Sequence, residues 1–363
     1  MQISLPSRGQ VIQAQRARGG RVAAVLPIHY PRELFSAFDI LPVELWGPPR
    51  VDTGTGDGHL QAYTCSIVRS ALSFVMDGGL GVVDVVVVPH ACDSLQGLAS
   101  LMLDFEPPAV PVLPFYIPRA NRPVDAEFLA AEFRSLYEKL AELTGKRPGD
   151  DELVRATKLQ EDADAALREL ATERERLPLS DRAYYELVRS REYLPADEFL
   201  SVARTALDGA CDEPAGRNGG LGLLLSGIVP EPMELFDAIS DAGARVVADD
   251  FASCGRRLYP EGRGDEPFVR MAGRLLGGPP DPTRGTPIAD RVSDLLSVAE
   301  RTGARGAVIY SVKFCEPELF DVPLLVQGLK EGGLPSVVME VDVSESLSGQ
   351  TRTRLEAFVE MLS

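Results

Sequence analysis

The chain has 363 residues, 45% of them hydrophobic and 25% charged, an ordinary globular composition with length enough for two or three domains. With 37 Lys and Arg against 54 Asp and Glu its formal charge is −17. That balance argues against a nucleic-acid binder, which needs a cationic face, and against docking on anionic membranes.

No apolar run approaches the length of a bilayer span, and the first ten residues (MQISLPSRGQ) carry no signal-peptide core, so the cytoplasm is the expected compartment. Five cysteines do not suggest a disulfide framework, and three histidines (His29, His59 and His90) leave little for a His-rich metal site.

Strands and helices alternate through the first third. Residues 21–28 (RVAAVLPI) form an apolar, β-branched run, and residues 31–39 open on Pro31, suited to a first helical position. A short strand is expected at 41–47 and a helix at 66–76, with Ile67, Leu72 and Val75 as its buried stripe. Residues 83–89 (VDVVVVP) are the clearest buried strand; a helix follows at 93–105, capped by Asp93 or Ser94, then a strand at 110–117. Such alternation predicts a parallel, doubly wound sheet.

From 124 to 174 there is little strand signal. Leu129, Phe133, Leu136 and Leu140 recur at helical spacing, and further helical patterns follow to residue 207. Residues 211–220 (CDEPAGRNGG) read as a linker. Alternation then returns, with strands expected at 221–228, 245–250, 306–312 and 336–343 and helices at 232–242, 288–301, 317–330 and 349–362. The Gly- and Pro-rich stretch 259–287 is expected as an irregular surface excursion. The resulting layout is an α/β fold of two doubly wound parallel-sheet domains, 1–122 and 215–363, with a helical insertion and linker at 123–214.

Three cysteines share a local setting. Cys65 precedes Ser66, a candidate helix cap; Cys92 follows the strand VDVVVVP; Cys315 follows the strand GAVIYSV and precedes Glu316-Pro317. Each therefore sits where a helix starts, two of them at the carboxyl end of a parallel strand, the edge where open α/β sheets bind ligands. Helix N-termini favour thiolate, the form that binds metal. Their spacings of 27 and 223 residues are not those of a zinc finger or a ferredoxin run, and buried structural cysteines would look the same. Cys211 lies in the linker and Cys254 in the loop after Asp249-Asp250, both read as incidental thiols or neighbours of a site.

Other patterns are negative. There is no P-loop and no G-x-S-x-G elbow; residues 54–58 (GTGDG) lack the spacing of a dinucleotide fingerprint. Asp249-Asp250 reads better as a strand end and cap than as a catalytic pair, and His90 better as a hydrogen-bonded residue at the sheet edge than as a proton donor near Cys92.

Read together, the cysteine settings resemble the 2-hydroxyacyl-CoA dehydratase and benzoyl-CoA reductase family. The resemblance is carried by residues 27–47 (PIHYPRELFSAFDILPVELWG), 65–69 (CSIVR), 89–96 (PHACDSLQ), 246–257 (VVADDFASCGRR), 310–323 (YSVKFCEPELFDVP) and 349–360 (GQTRTRLEAFVE), in family order. It implies one [4Fe–4S] cluster per chain, held by Cys65, Cys92 and Cys315, with one iron free of protein thiolate. Arg69, one turn beyond Cys65, and Lys313, two residues before Cys315, become candidate neighbours of that anionic group, as do His90, Ser94 and Gln96 around Cys92.

The resemblance further implies a homologous second subunit, a separate ATP-hydrolysing iron–sulfur activator protein and an acyl-CoA substrate. The reaction it implies is loss of water from a 2-hydroxyacyl thioester through a ketyl radical. The alternatives are a subunit of an aromatic-ring reductase, a cluster-bearing electron relay, or a cluster-free binding module for which the motifs would be coincidence.

Overall fold

The computed structural model describes residues 3–46, 51–212 and 220–363. The expected linker at 211–220 falls largely outside them, as does Gly47 at the end of the expected second strand.

Among the described residues eight strands form two four-stranded sheets, every adjacent pair parallel. The first contains β1 (Arg21–Val25), β2 (Ile40–Glu44), β3 (Val85–His90) and β4 (Val112–Tyr116), in the order β2-β1-β3-β4. The second contains β5 (Leu221–Gly227), β6 (Ala244–Asp249), β7 (Gly306–Val312) and β8 (Ser336–Val341), in the order β6-β5-β7-β8. The two orders are the same, so the α/β units share one topology. In each, the winding reverses between the first and third strands, at β1/β3 and β5/β7, the topological switch points.

Strand alternation distributes the core. Val86 and Val88 of β3 point into one apolar cluster, Val85 and Val87 into another. In β7, Val308, Tyr310 and Val312 face the same cluster as Val86, whereas Ala307 and Ile309 face a third. One face of each sheet thus contributes to a central core spanning both units, and the other faces pack outward under separate helix layers.

The helices 123–208 lie between β4 and β5. Pro123–Thr144 starts with Pro at its first position and stops at Gly145, whose φ of 71° suits glycine. It covers the outer face of the first sheet through Leu129, Phe133 and Leu136.

The stretch 259–287 is not irregular throughout. It contains the helix Pro267–Leu276, in which Glu266 accepts the Val269 N–H and Met271, Ala272, Leu275 and Leu276 are buried. That helix packs on Pro123–Thr144 and Asp150–Thr172 in the same cluster as Val85 and Val87. A segment from the second half of the chain therefore completes the core beside the first sheet. The helix expected at 317–330 is two, Glu316–Leu319 and Val322–Glu331. Pro323 sits in the first turn of the second, where its missing N–H costs nothing; in one continuous helix it would break a hydrogen bond and clash. A further helix, Arg8–Ala17, precedes the first expected element and is closed by a capping box between Ser7 and Gln10.

Candidate cysteine site at the switch points

Cys92 and Cys315 follow β3 and β7, which hold equivalent places in the two sheets. Cys65 comes twenty-one residues after β2. All three are themselves the N-cap residues: Cys65 of Ser66–Met76, Cys92 of Asp93–Asp104 and Cys315 of Glu316–Leu319. The caps expected at Ser66 and at Asp93 or Ser94 are thus displaced by one or two residues. None of the three thiols closes a capping hydrogen bond. The N–H groups of Ile67 and Val68 nevertheless face Cys65, those of Ser94 and Leu95 face Cys92, and that of Glu318 faces Cys315.

The three thiols share one neighbourhood. A charge on Cys92 raises the pKa of Cys65, and charges on Cys65 and Cys92 raise that of Cys315. The Ser94 hydroxyl, on the Cys92 helix, is directed at the Cys65 sulfur. The ties between the sheets run the same way. Ser66 Oγ accepts the Val343 N–H at 3.1 Å, and Arg69 Nη1 lies 3.9 Å from Asp342 Oδ2, just beyond β8.

Burial dominates the electrostatics. Cys65 and Cys315 are 5% and 8% exposed, Cys92 rather more. Loss of hydration pushes Cys65 up to about 12 and raises Cys92 and Cys315 too, against the pull of the helix N–H groups. The helix N–H groups favour thiolate, as expected, but desolvation of the charge outweighs their few partial positive charges. A metal's own charge reverses that balance, because a coordinated thiol is deprotonated outright.

The other candidates divide. Arg69 feels Cys65 but is engaged by Asp57, with Nε to Oδ1 at 2.6 Å. Lys313 is exposed; the strand ends at Val312, and Phe314 is left-handed at φ 61°, so Lys313 and Cys315 do not lie on one face of a continuous strand. Its ammonium lies over the Phe314 ring at 5.2 Å. His90 stacks edge-on against Tyr116 at 4.5 Å, and neither ring nitrogen has a hydrogen-bond partner among the described residues, contrary to the hydrogen-bonded role expected for it. Gln96 is exposed.

Arg119, which the motifs do not single out, lies by the Cys92 turn. It reaches the Ala91 carbonyl at 3.4 Å and Asp93 at 3.7 Å, and its charge acts on Cys92. The signal for it is its place just past β4, at the same carboxyl edge.

Cys254 and Cys211 stand apart. Cys254 comes five residues after β6, whereas Cys65 comes twenty-one after β2; the short loop keeps Cys254 buried beside Ser253, at 3.4 Å, and under the influence of Asp249. Cys211 is exposed. Asp249 accepts from the N–H groups of Phe251 and Gly255 and from Tyr185, which makes it a strand-end cap as expected.

Three thiols are soft donors, suited to thiophilic metal chemistry, and the surrounding N–H groups can donate to sulfur. Among the described residues no group of three or more His, Cys, Asp or Glu forms the ligand set of a metal ion. No helix among them is long and apolar enough to cross a membrane.

Residues 27–362 match the family described as 2-hydroxyglutaryl-CoA dehydratase, D-component. The chain belongs to that family. Within the 2-hydroxyglutaryl-CoA dehydratase D-component group and its kin, it is 25% identical over 358 residues to lactoyl-CoA dehydratase subunit beta of Anaerotignum propionicum, covering 95% of this chain and 92% of that one. It is equally similar, at 25% over 361 residues, to (R)-2-hydroxyglutaryl-CoA dehydratase subunit beta of Acidaminococcus fermentans (96% and 94% covered). A benzoyl-CoA reductase subunit of Thauera aromatica is 25% identical over 331 residues, covering 87% and 84%.

Proposed function

We propose that this chain is the cluster-bearing, beta-type subunit of a 2-hydroxyacyl-CoA dehydratase, with Cys65, Cys92 and Cys315 holding one [4Fe–4S] cluster. The observation that carries the reading is that these three thiols lie within electrostatic reach of one another, each at a helix start, two of them at equivalent switch-point strands. A cubane takes its thiolates at separate corners, so they need not crowd round one ion. When bound, such a cluster supplies one-electron transfer and, at an iron without protein thiolate, a Lewis acid.

This chain's residues do the holding. Helix N–H groups from Ile67, Val68, Ser94, Leu95 and Glu318 offset the negative charge at the thiolates, and Arg119 adds a cation beside Cys92. The central core closes over Cys65 and Cys315 and keeps water from them.

The relatives are named as single subunits of larger enzymes, which supports a partner subunit, for which a homologous chain is the candidate. An ATP-hydrolysing activator would supply the electron, and the assembly would work in the cytoplasm on an acyl-CoA. A second reading, a ring-reductase subunit, is favoured by the similarity to the Thauera protein.

Anaerobic co-purification with the partner, followed by iron and sulfide analysis, tests the cluster; iron-free protein after reconstitution would refute it. Water loss from a 2-hydroxyacyl thioester separates the first reading from the second, which requires reductant consumption with a benzoyl thioester.

A further inference from the structure

Glu318 is the third residue of the short helix that Cys315 begins, and it is 2% exposed. Arg256 Nη1 donates to its Oε1 at 2.6 Å, and Arg291 Nη2 to its Oε2 at 2.8 Å. Both arginines are buried and anchored again behind it. Arg291 donates through Nε to Asp250 Oδ2 at 2.9 Å and through Nη2 to Ser226 Oγ at 3.0 Å; Arg256 Nη2 reaches the same Asp250 oxygen at 3.4 Å. Ser226 belongs to β5, Asp250 follows β6 and Glu318 follows β7. The network therefore ties the carboxyl ends of three neighbouring strands together behind Cys315.

The turn it grips does not hold itself. Glu316–Leu319 is one helical turn, and isolated turns are unfavourable because nucleation fixes several dihedrals for one hydrogen bond. Phe314, just before the thiol, is left-handed at φ 61°, a strained state for a non-glycine residue. On its other side Glu318 returns to the site, its N–H bonding the Cys315 carbonyl at 3.1 Å and facing the sulfur.

We infer that Glu318, clamped by Arg256 and Arg291, is the positioning residue for Cys315: the clamp fixes the turn that aims the thiol, and the carboxylate adds a negative charge to its surroundings. What the thiol holds rests on the function proposed above; the positioning does not.

The test uses the full chain as wild type, Glu318→Gln and Arg291→Lys. In the reduced, cluster-free protein, alkylation of each cysteine is followed by mass spectrometry. Loosening the turn should speed labelling of Cys315 about tenfold, equivalent to ~1.4 kcal/mol of opening free energy, with Cys65 and Cys92 unchanged. Arg291→Lys keeps the charge but loses the fork, so it should also speed Cys315 labelling.

In the reconstituted complex, Glu318→Gln removes a negative charge and should raise the cluster's midpoint potential, by about 59 mV if the one-electron constant shifts tenfold. Arg291→Lys should leave that potential in place. Unchanged Cys315 labelling in Glu318→Gln would overturn the inference, and if that variant does not fold, unchanged labelling in Arg291→Lys would do so. A wild-type chain that takes up no iron counts against the proposed function alone, and the labelling comparison still decides the positioning role.

Discussion

Arg257 grips both carboxylate oxygens of Glu44, at 2.7 and 2.6 Å, across the seam between the two sheets. Glu44 ends β2 and Arg257 closes the turn after β6. The carboxylate is completely buried yet fully used, accepting also from Trp46 Nε1 at 2.8 Å, Tyr30 Oη at 2.9 Å and Arg32. The pair holds the carboxyl edges of the two units in register, and the cysteines stand on those edges.

Arg257→Ala should therefore be strongly destabilising. It leaves the Glu44 charge to Arg32 in a dry site, and breaking a buried pair costs about 3–5 kcal/mol. Denaturant titration should show a lower midpoint. A shift below about 1 kcal/mol, the range of exposed pairs, would mean that the seam does not depend on this contact.

Acid should open the same seam in two stages. Burial holds His29, 3.5 Å from Asp281, below its ordinary value of 6.5, so the unfolded chain takes up that proton first and stability falls as pH drops below about 6.5. Burial opposes ionisation of Glu44, but Arg257 and Arg32 outweigh it and hold the carboxyl at about 2, against an ordinary 4.5. Its contribution is complete above pH 4.5 and is lost between there and 2. Melting temperature against pH should decline across both windows; a flat profile between pH 7 and 3 would contradict this.

Serine at Cys65, Cys92 or Cys315 should each lower iron per chain after anaerobic reconstitution, because a hard hydroxyl replaces a soft thiolate. Serine at Cys211, exposed, or at Cys254, buried beside Ser253, should leave iron unchanged. Equal iron in all five variants would remove the three-cysteine assignment.

Gly227→Ala should disturb the second switch point. Gly227 has φ 158°, and an added Cβ would overlap the carbonyl oxygen of Tyr310, its partner on β7. Backbone cannot swing aside as a side chain does, so the cost should reach about 1–3 kcal/mol or more. Wild-type stability in the variant would show that β5 and β7 separate more easily than their pairing suggests.

Much of the fold is legible in local sequence. The four-valine run of β3, the helical spacing of Leu129, Phe133, Leu136 and Leu140, and the placement of three cysteines at helix starts follow from preferences that act over a few residues. The capping box at Ser7 and Gln10 is a local signal of the same kind, although no apolar run beside it draws attention to the helix it starts. The helix Pro267–Leu276 is obscured by the glycines and prolines around it; its apolar face becomes informative only once Pro123–Thr144 is there to receive it.

The sequence by itself determined the α/β alternation, the acidic surface and the three thiols waiting at strand and helix ends. Tertiary structure decided what those thiols meet. It brought Cys315 within electrostatic reach of Cys92 across 223 residues, matched Glu44 to Arg257 and Glu318 to Arg256 and Arg291, and buried the sulfurs deeply enough to overrule their helix N-termini. Backbone preferences act residue by residue, so a local reading finds them. Ion pairing and thiol ionisation depend on water being excluded, and that happens only when distant segments close over the site.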